Sequence, residues 1–406
     1  ISKFIRVRFE LVDPIPSVYT NVSSCGTLDS VNTYYVLNVS VSAAGTCFTI
    51  GANNVTLDGN GYLINYSQSS TGYGVTTNWY NGSVIRNVTI EQGSTSSSSY
   101  VIYLLGSVNG TVERVNITTF GTSSIGTFLT LASYNNLSSL TVTAFGSSGQ
   151  GIHFTTISPD NRIIEPIITT SGSSGRGIQI GSSSHNNTIV NPVIRTSGAS
   201  GYGISISPSS HNNTIVNPTI TTTGSSGYGI YISSSKDTNV TNGVVNATIS
   251  DSLRLNSAGN TEDNSFTNVS LLRTTLYNIN IDSHLINDTE FVDMPYIGNY
   301  TIAGIGGSII VKDSLFGELR FKQAVNGSGT NLTSDIVIGN NSVNVSIGQI
   351  GLNKSANVTL YGIGNRGFTD IGILKGGATC IGCYNFTSLT ADTVVFNTTG
   401  AGNYTI

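Results

Sequence analysis

Between about residues 145 and 245 the chain repeats itself with a fixed period of 26. The stretches "SSGQGIHF", "SSGRGIQI", "ASGYGISI" and "SSGYGIYI" begin at Ser147, Ser173, Ala199 and Ser225. Within them Ile152, Ile178, Ile204 and Ile230 recur in register, as do Gly151, Gly177, Gly203 and Gly229. The second half of each unit also returns, with Pro166, Pro192 and Pro218 in step. Upstream the pattern continues less regularly, through Val88, Val115 and Ile117, and "STGYGVTT" from Ser70 is the same unit again. Each unit holds short alternating segments separated by Gly, Ser, Asn and Pro turns, and none holds a ten-residue helical stripe. That removes the helical solenoids, and a propeller blade needs about 40 residues. Two or three strands in each period fit one rung of a parallel β-helix. Residues one period apart then stack at about 4.8 Å, and Ile152, Ile178, Ile204 and Ile230 are expected to form one inward column. The glycines beside them are assigned to turns, where a left-handed or close-approach backbone favours glycine.

Composition narrows the function. Only 38 of the 406 residues are charged (17 Lys plus Arg, 21 Asp plus Glu), for a net charge of -4. A chain so poor in cations has no footprint for nucleic acid. No apolar run approaches the length of a membrane span, roughly 18 residues or more. The 38% of hydrophobic residues, with 19 Tyr and 14 Phe, is too high for a disordered Ser/Thr-rich stalk. The chain opens on Ile1 with no leader, which predicts a removed leader or a piece of a longer polypeptide.

Three segments are expected. Residues 1–20 form an N-terminal strand arm and a Pro-containing linker. Residues 21–291 form the β-helix, and residues 292–406, with longer alternating strands, an antiparallel β-sandwich. In the arm, "ISKFIRVRFELV", Ile5, Val7, Phe9 and Leu11 share one face and Phe4, Arg6, Arg8 and Glu10 the other. It either pairs back onto its own chain or adds a strand to a neighbouring subunit. Four cysteines suggest two local clips, Cys25 with Cys47 and Cys380 with Cys383. For the second pair a redox or half-zinc motif is the alternative, but no histidine lies near it. Structural disulfides predict an oxidising, extracellular location.

A search for chemistry returns little. Glycoside hydrolysis wants two carboxylates flanking one point, and between residues 114 and 250 only Asp160, Glu165 and Asp237 are acidic. They do not pair at rung spacing. Asp58, in "LDGNG", reads as a turn residue. His185 and His211 are one rung apart and read as solvent-facing turn residues, with too thin a ligand set for a metal. Arg176, Tyr202 and Tyr228 form a column that stacks on itself or on a sugar ring. The expectation is no catalytic residue, no metal, no cofactor and no enzyme. Asn-x-Ser/Thr sequons are dense, which fits an exported glycoprotein; candidates are Asn21, Asn38, Asn54, Asn81, Asn87, Asn116, Asn186, Asn212, Asn246, Asn268, Asn331, Asn357 and Asn397. The Asn-Asn-Thr turns are expected either to form asparagine ladders or to carry glycans, not both at one residue.

The opening "GTCFTI", "NNVTLDGNGY", the rungs "GYGI" and "SSHNNTIVNP" and the closing "FNTTGAGNYTI" together resemble long archaeal surface proteins. These are built of right-handed parallel β-helix repeats of the pectin-lyase-like superfamily with small β domains. The resemblance covers residues 21–290 and, more loosely, 357–406. It implies an exported, glycosylated, structural or adhesive role at the cell surface. The leading expectation is therefore an extracellular subunit that polymerises with identical copies, head to tail, into a filament or layer by a donor-strand contact. A glycan-binding adhesin is the alternative, and a polysaccharide lyase or hydrolase relative the third.

Overall fold

Inward-facing aliphatic residues every second position, returning every rung, leave the backbone one way to bury them: coil, and stack each turn on the last. The structure, a computed structural model, describes residues 16–406 apart from 257–260, 273–274, 283–285, 304–307, 365 and 369–370. It is a right-handed parallel β-helix that continues into an antiparallel sandwich. The arm residues Ile5, Val7, Phe9 and Leu11 lie outside the described residues.

Two long sheets run the length of the shaft, one of thirteen strands from Gly26–Leu28 to Gly327–Gly329 and a bent one of twenty-three. In the thirteen-stranded sheet Ile152, Ile178, Ile204 and Ile230 pair in parallel register, continued by Leu253 and Ile279, and all are 0% exposed. Each such side chain contributes roughly 1.5–3 kcal/mol of transfer free energy. Among the described residues the only helical elements are the four-residue helix Leu332–Asp335 and the 3-10 turn Ile350–Leu352. Among the described residues no helix is long and apolar enough to cross a membrane.

The repeated glycines act through close approach. None of Gly151, Gly177, Gly203 or Gly229 has a positive φ. A Cβ on Gly203 would sit 2.3 Å from Ile220 Cγ2 and 2.5 Å from the Gly229 carbonyl oxygen. At Gly198 the clash is harder, 1.7 Å from the carbonyl oxygen of Gly172 one rung below. The left-handed positions are filled by other residues, among them Asn191, Asn217, Asn242 and Asn268 at the bend of the larger sheet. Asparagine tolerates that conformation and adds a ladder: Asn217 Nδ2 donates to Asn191 Oδ1 at 3.0 Å, and Asn268 Nδ2 to Asn242 Oδ1 at 2.9 Å. Gly198→Ala is therefore expected to lower stability by about 1–3 kcal/mol or more, since only backbone could move to relieve it. Gly26→Ala, where nothing lies within 4 Å, is the control in the same denaturation measurement.

A second asparagine column is internal. Asn135, Asn161, Asn187 and Asn213 are at most 1% exposed, and each of the first three donates its backbone N–H to the side-chain oxygen of the next. Asn186 and Asn212, beside them, point to solvent. Ladder and sequon thus fall on adjacent residues of each Asn-Asn-Thr turn.

The sandwich grows directly out of the bent sheet. Ile309–Asp313 pairs in parallel with Thr289–Val292 on one side and antiparallel with Gly317–Phe321 on the other. Ala356–Leu360 and Val394–Thr398 follow. A separate sheet orders Ile336–Gly339, Ser342–Val345, Gly402–Thr405, Leu374–Lys375 and Ala378–Thr379. Cys25 is bonded to Cys47 and Cys380 to Cys383.

Candidate functional site

In each rung of the thirteen-stranded sheet the residues two before and one after the position of the buried Ile152 line its outer surface, most of them partly exposed, with Ile125 and Thr76 buried. Two adjacent columns result. One carries Tyr73, Tyr100, Ile125, Gln150 and Arg176; the other carries Thr76, Tyr103, Phe128, His153 and Gln179. Further along, Tyr202, Tyr228 and Tyr231 take over, and Arg254 follows Tyr231 in register. From Tyr73 to Arg254 the face crosses eight strands, about 34 Å at about 4.8 Å per step.

The face is two aromatic stacks with a polar patch between them. In the first stack, ring centroids lie 5.0 Å apart for Tyr73–Tyr103, 5.3 Å for Tyr103–Phe128 and 5.2 Å for Phe128–His153. In the second they lie 5.0 Å apart for Tyr202–Tyr228 and 5.7 Å for Tyr228–Tyr231. Gln150, His153, Arg176 and Gln179 occupy the interval. Gln150 Oε1, His153 Nδ1 and Gln179 Oε1 are buried yet have no hydrogen-bond partner among the described residues. An orphaned buried acceptor costs about 1–3 kcal/mol. Burial, with help from the Arg176 charge, pushes His153 down to about 4, so it is neutral at pH 7. The Arg176 guanidinium stands 5.3 Å from the Tyr202 ring centroid, and no carboxylate salt-bridges it among the described residues.

Carboxylates gather at the far end. Asp251, 1% exposed, accepts from Asn280 Nδ2 at 2.8 Å and lies 3.7 Å from Arg254. Arg254 also bonds Asp282 and the Tyr228 hydroxyl. Burial raises the Asp251 carboxyl above its ordinary range, against the hydrogen bond from Asn280. Asp251 Oδ1 and Asp282 Oδ1 are buried without a hydrogen-bond partner among the described residues. Two acids, an arginine and a tyrosine therefore converge at one point of the face.

The residues singled out from the sequence fall elsewhere, with one exception. Arg176, Tyr202 and Tyr228 belong to the face. Asp160, Glu165 and Asp237 hold left-handed turn positions. Asp58 makes an Asx turn to Asn60 N and also binds Tyr34 and Arg86, a structural knot on the other sheet. His185 and His211 stack at 5.2 Å, and each Nδ1 accepts a backbone N–H from the next rung. That fixes the Nε2–H tautomer and leaves no lone pair for a metal. No group of three or more His, Cys, Asp or Glu able to hold a metal occurs among the described residues. Of the sequons, Asn21, Asn38, Asn54, Asn81, Asn116, Asn186, Asn212 and Asn268 are exposed. Asn397 is buried and takes the Tyr384 N–H, so its inclusion among the glycan candidates is corrected: an attached sugar has no space there. Asn87 bonds Asp58 and Arg114, and Asn331 caps a helix.

No family model matches the chain, and no curated protein does. Several solved structures do. The A-module of mannuronan C-5 epimerase AlgE6 from Azotobacter vinelandii has a TM-score of 0.46 and 16% identity, covering 71% of this chain and 91% of that one. The tailspike of E. coli bacteriophage HK620, in complex with a pentasaccharide, has a TM-score of 0.40 and 8% identity over 96% and 85%. An alginate lyase from a Paenibacillus strain has 0.35 and 14% over 67% and 99%. The expectation of a non-enzyme is corrected by this finding: polysaccharide epimerases and a lyase stand among the solved structures similar to the chain. The carboxylate count behind that expectation stopped short of Asp251 and Asp282.

Proposed function

We propose that the outward face of the thirteen-stranded sheet binds an anionic polysaccharide in an extracellular setting. The observation that carries this reading is Arg176, a half-buried cation with no carboxylate partner among the described residues, set among orphaned acceptors between two aromatic stacks. Aromatic rings offer flat apolar faces to sugar C–H groups, and their hydroxyls meet the sugar's own. A sugar carboxylate or sulfate neutralises Arg176. Two disulfides suit an oxidising compartment. N-glycans on the exposed sequons and display at a cell surface, as a subunit joined to identical copies, belong to the same reading.

Titration with a polyuronate, a sulfated glycan and a neutral glucan tests it. Tyr103→Ala and Phe128→Ala are expected to weaken binding about 3- to 10-fold each, from roughly 0.5–1.5 kcal/mol per aromatic contact. Arg176→Gln should abolish the preference for the charged ligands, and Tyr134→Ala, on an exposed turn, should change nothing. Unaltered affinity in both aromatic variants would refute the reading.

Asp251 favours a second reading, acid–base chemistry on the bound chain. A carboxyl held up by burial beside a paired carboxylate is the pattern that separates an acid from a base. Asp251→Asn is then expected to stop product formation while binding persists. Any cleavage or epimerisation unchanged in that variant would exclude Asp251.

A further inference from the structure

At the junction of shaft and sandwich an apolar groove of about 210 Å³ opens beside a free strand edge. Phe291, Met294, Val311, Leu332 and Ile336 line it, with Val337, 43% exposed, at its lip. Among the described residues Ile336–Gly339 pairs only with Ser342–Val345, so its other edge offers unpaired backbone groups. Natural sheets rarely leave an apolar edge uncovered. Asp293 and Asp313, with Lys312 beside them, stand at the groove's margin, which carries one net negative charge.

We infer that this groove receives residues 4–11 of a second copy of the chain. The segment fits in pattern and charge. Added as a strand, it turns Ile5, Val7, Phe9 and Leu11 inward, while Arg6 and Arg8 face the margin where the two aspartates lie. Reach decides whose segment it is. The strand Thr20–Val22 is fixed in the first rung, and twelve strand steps separate it from Ile309–Asp313, about 58 Å at about 4.8 Å each. Phe4 is sixteen residues from Thr20, at most about 58 Å even fully extended, and Leu11, nine residues away, at most about 32 Å, so residues 4–11 cannot lie together along that groove. A chain cannot fill its own groove with this segment. The contact is therefore between unlike ends, and it propagates without closing. It stands independently of glycan binding.

Light scattering of the full chain at rising concentration should show masses in multiples of 42.5 kDa. Phe9→Asp and Val337→Arg, each alone, should remain at one chain with an unchanged β-sheet circular dichroism spectrum. Mixed in equal amounts they should form dimers and nothing larger, because one variant keeps a sound groove and the other a sound arm. A parent chain that stays at 42.5 kDa at every concentration, assembly undiminished in either variant, or a mixture that stays single would each overturn the inference.

Discussion

Ile204→Asp is expected to unfold the chain or remove at least about 5 kcal/mol of stability. Ile204 is 0% exposed, with Ile178 on one side and Ile230 on the other. The substitution subtracts the aliphatic transfer energy, roughly 1.5–3 kcal/mol. It then adds a carboxylate with no partner in an apolar column, which costs several kcal/mol more or forces the acid to stay protonated. Ile204→Val, which removes one methylene, should cost only about 0.5–1.5 kcal/mol. Chemical denaturation of the two variants separates the terms. Near-parental stability of Ile204→Asp would mean the column faces solvent.

Acid should weaken the fold well before its carboxylates titrate. His153 is held at about 4 against 6.5 in an unfolded chain, by burial and then by Arg176. A group whose folded value is depressed stabilises the fold fully above its unfolded value, and that stability is lost as pH falls from 6.5 toward 4. The difference of about 2.5 pH units corresponds to about 3 kcal/mol at pH 4 and below. His211 is lowered too, by burial and then by His185 and Lys236, and acts in the same sense. Asp58 acts later: burial works to raise it, but bonds from Tyr34, Asn60 and Arg86 prevail and lower it, so its contribution fades only below 3.8. Asp251, raised by burial, works the other way and gains as pH falls. Denaturation midpoints between pH 8 and pH 4 should therefore drop, and His153→Phe, which repeats its neighbour Phe128, should remove about 3 kcal/mol of that drop. Parallel curves for parent and variant would place the acid sensitivity elsewhere.

The β-helix was legible because its core is written in one letter. Isoleucine recurs at 152, 178, 204 and 230, and a 26-residue unit of short strands with no helical stripe fits a β-helix rung. The cause of the glycine repeat was legible only in part: spacing marks a special backbone position, but whether it is a turn or a close approach depends on the rung above. The face was legible at Tyr202 and Tyr228, where the repeat is regular. It was missed at Tyr73, Tyr100, Tyr103 and Phe128, where the residue type and the rung length both change, from 27 between Tyr73 and Tyr100 to 25 between Tyr103 and Phe128. Asp251 and Asp282 escaped for a related reason. They sit in different columns, Asp251 within the shortened rung that runs from Tyr231 to Arg254 and Asp282 beyond it, so no fixed spacing links them. Extending the column upstream and downstream with a tolerance for such changes of length would have found both. In the sandwich, Ser342–Val345 pairs with Gly402–Thr405 across a long stretch of chain, a contact that local alternation does not encode.

The most direct measurement is an experimental structure of the protein with a bound anionic oligosaccharide. The account predicts sugar density along the outer face between Tyr73 and Arg254, with a carboxylate or sulfate at Arg176 and rings against Tyr103, Phe128 or Tyr202. Density confined to another surface, or an empty face at saturating ligand, would contradict it.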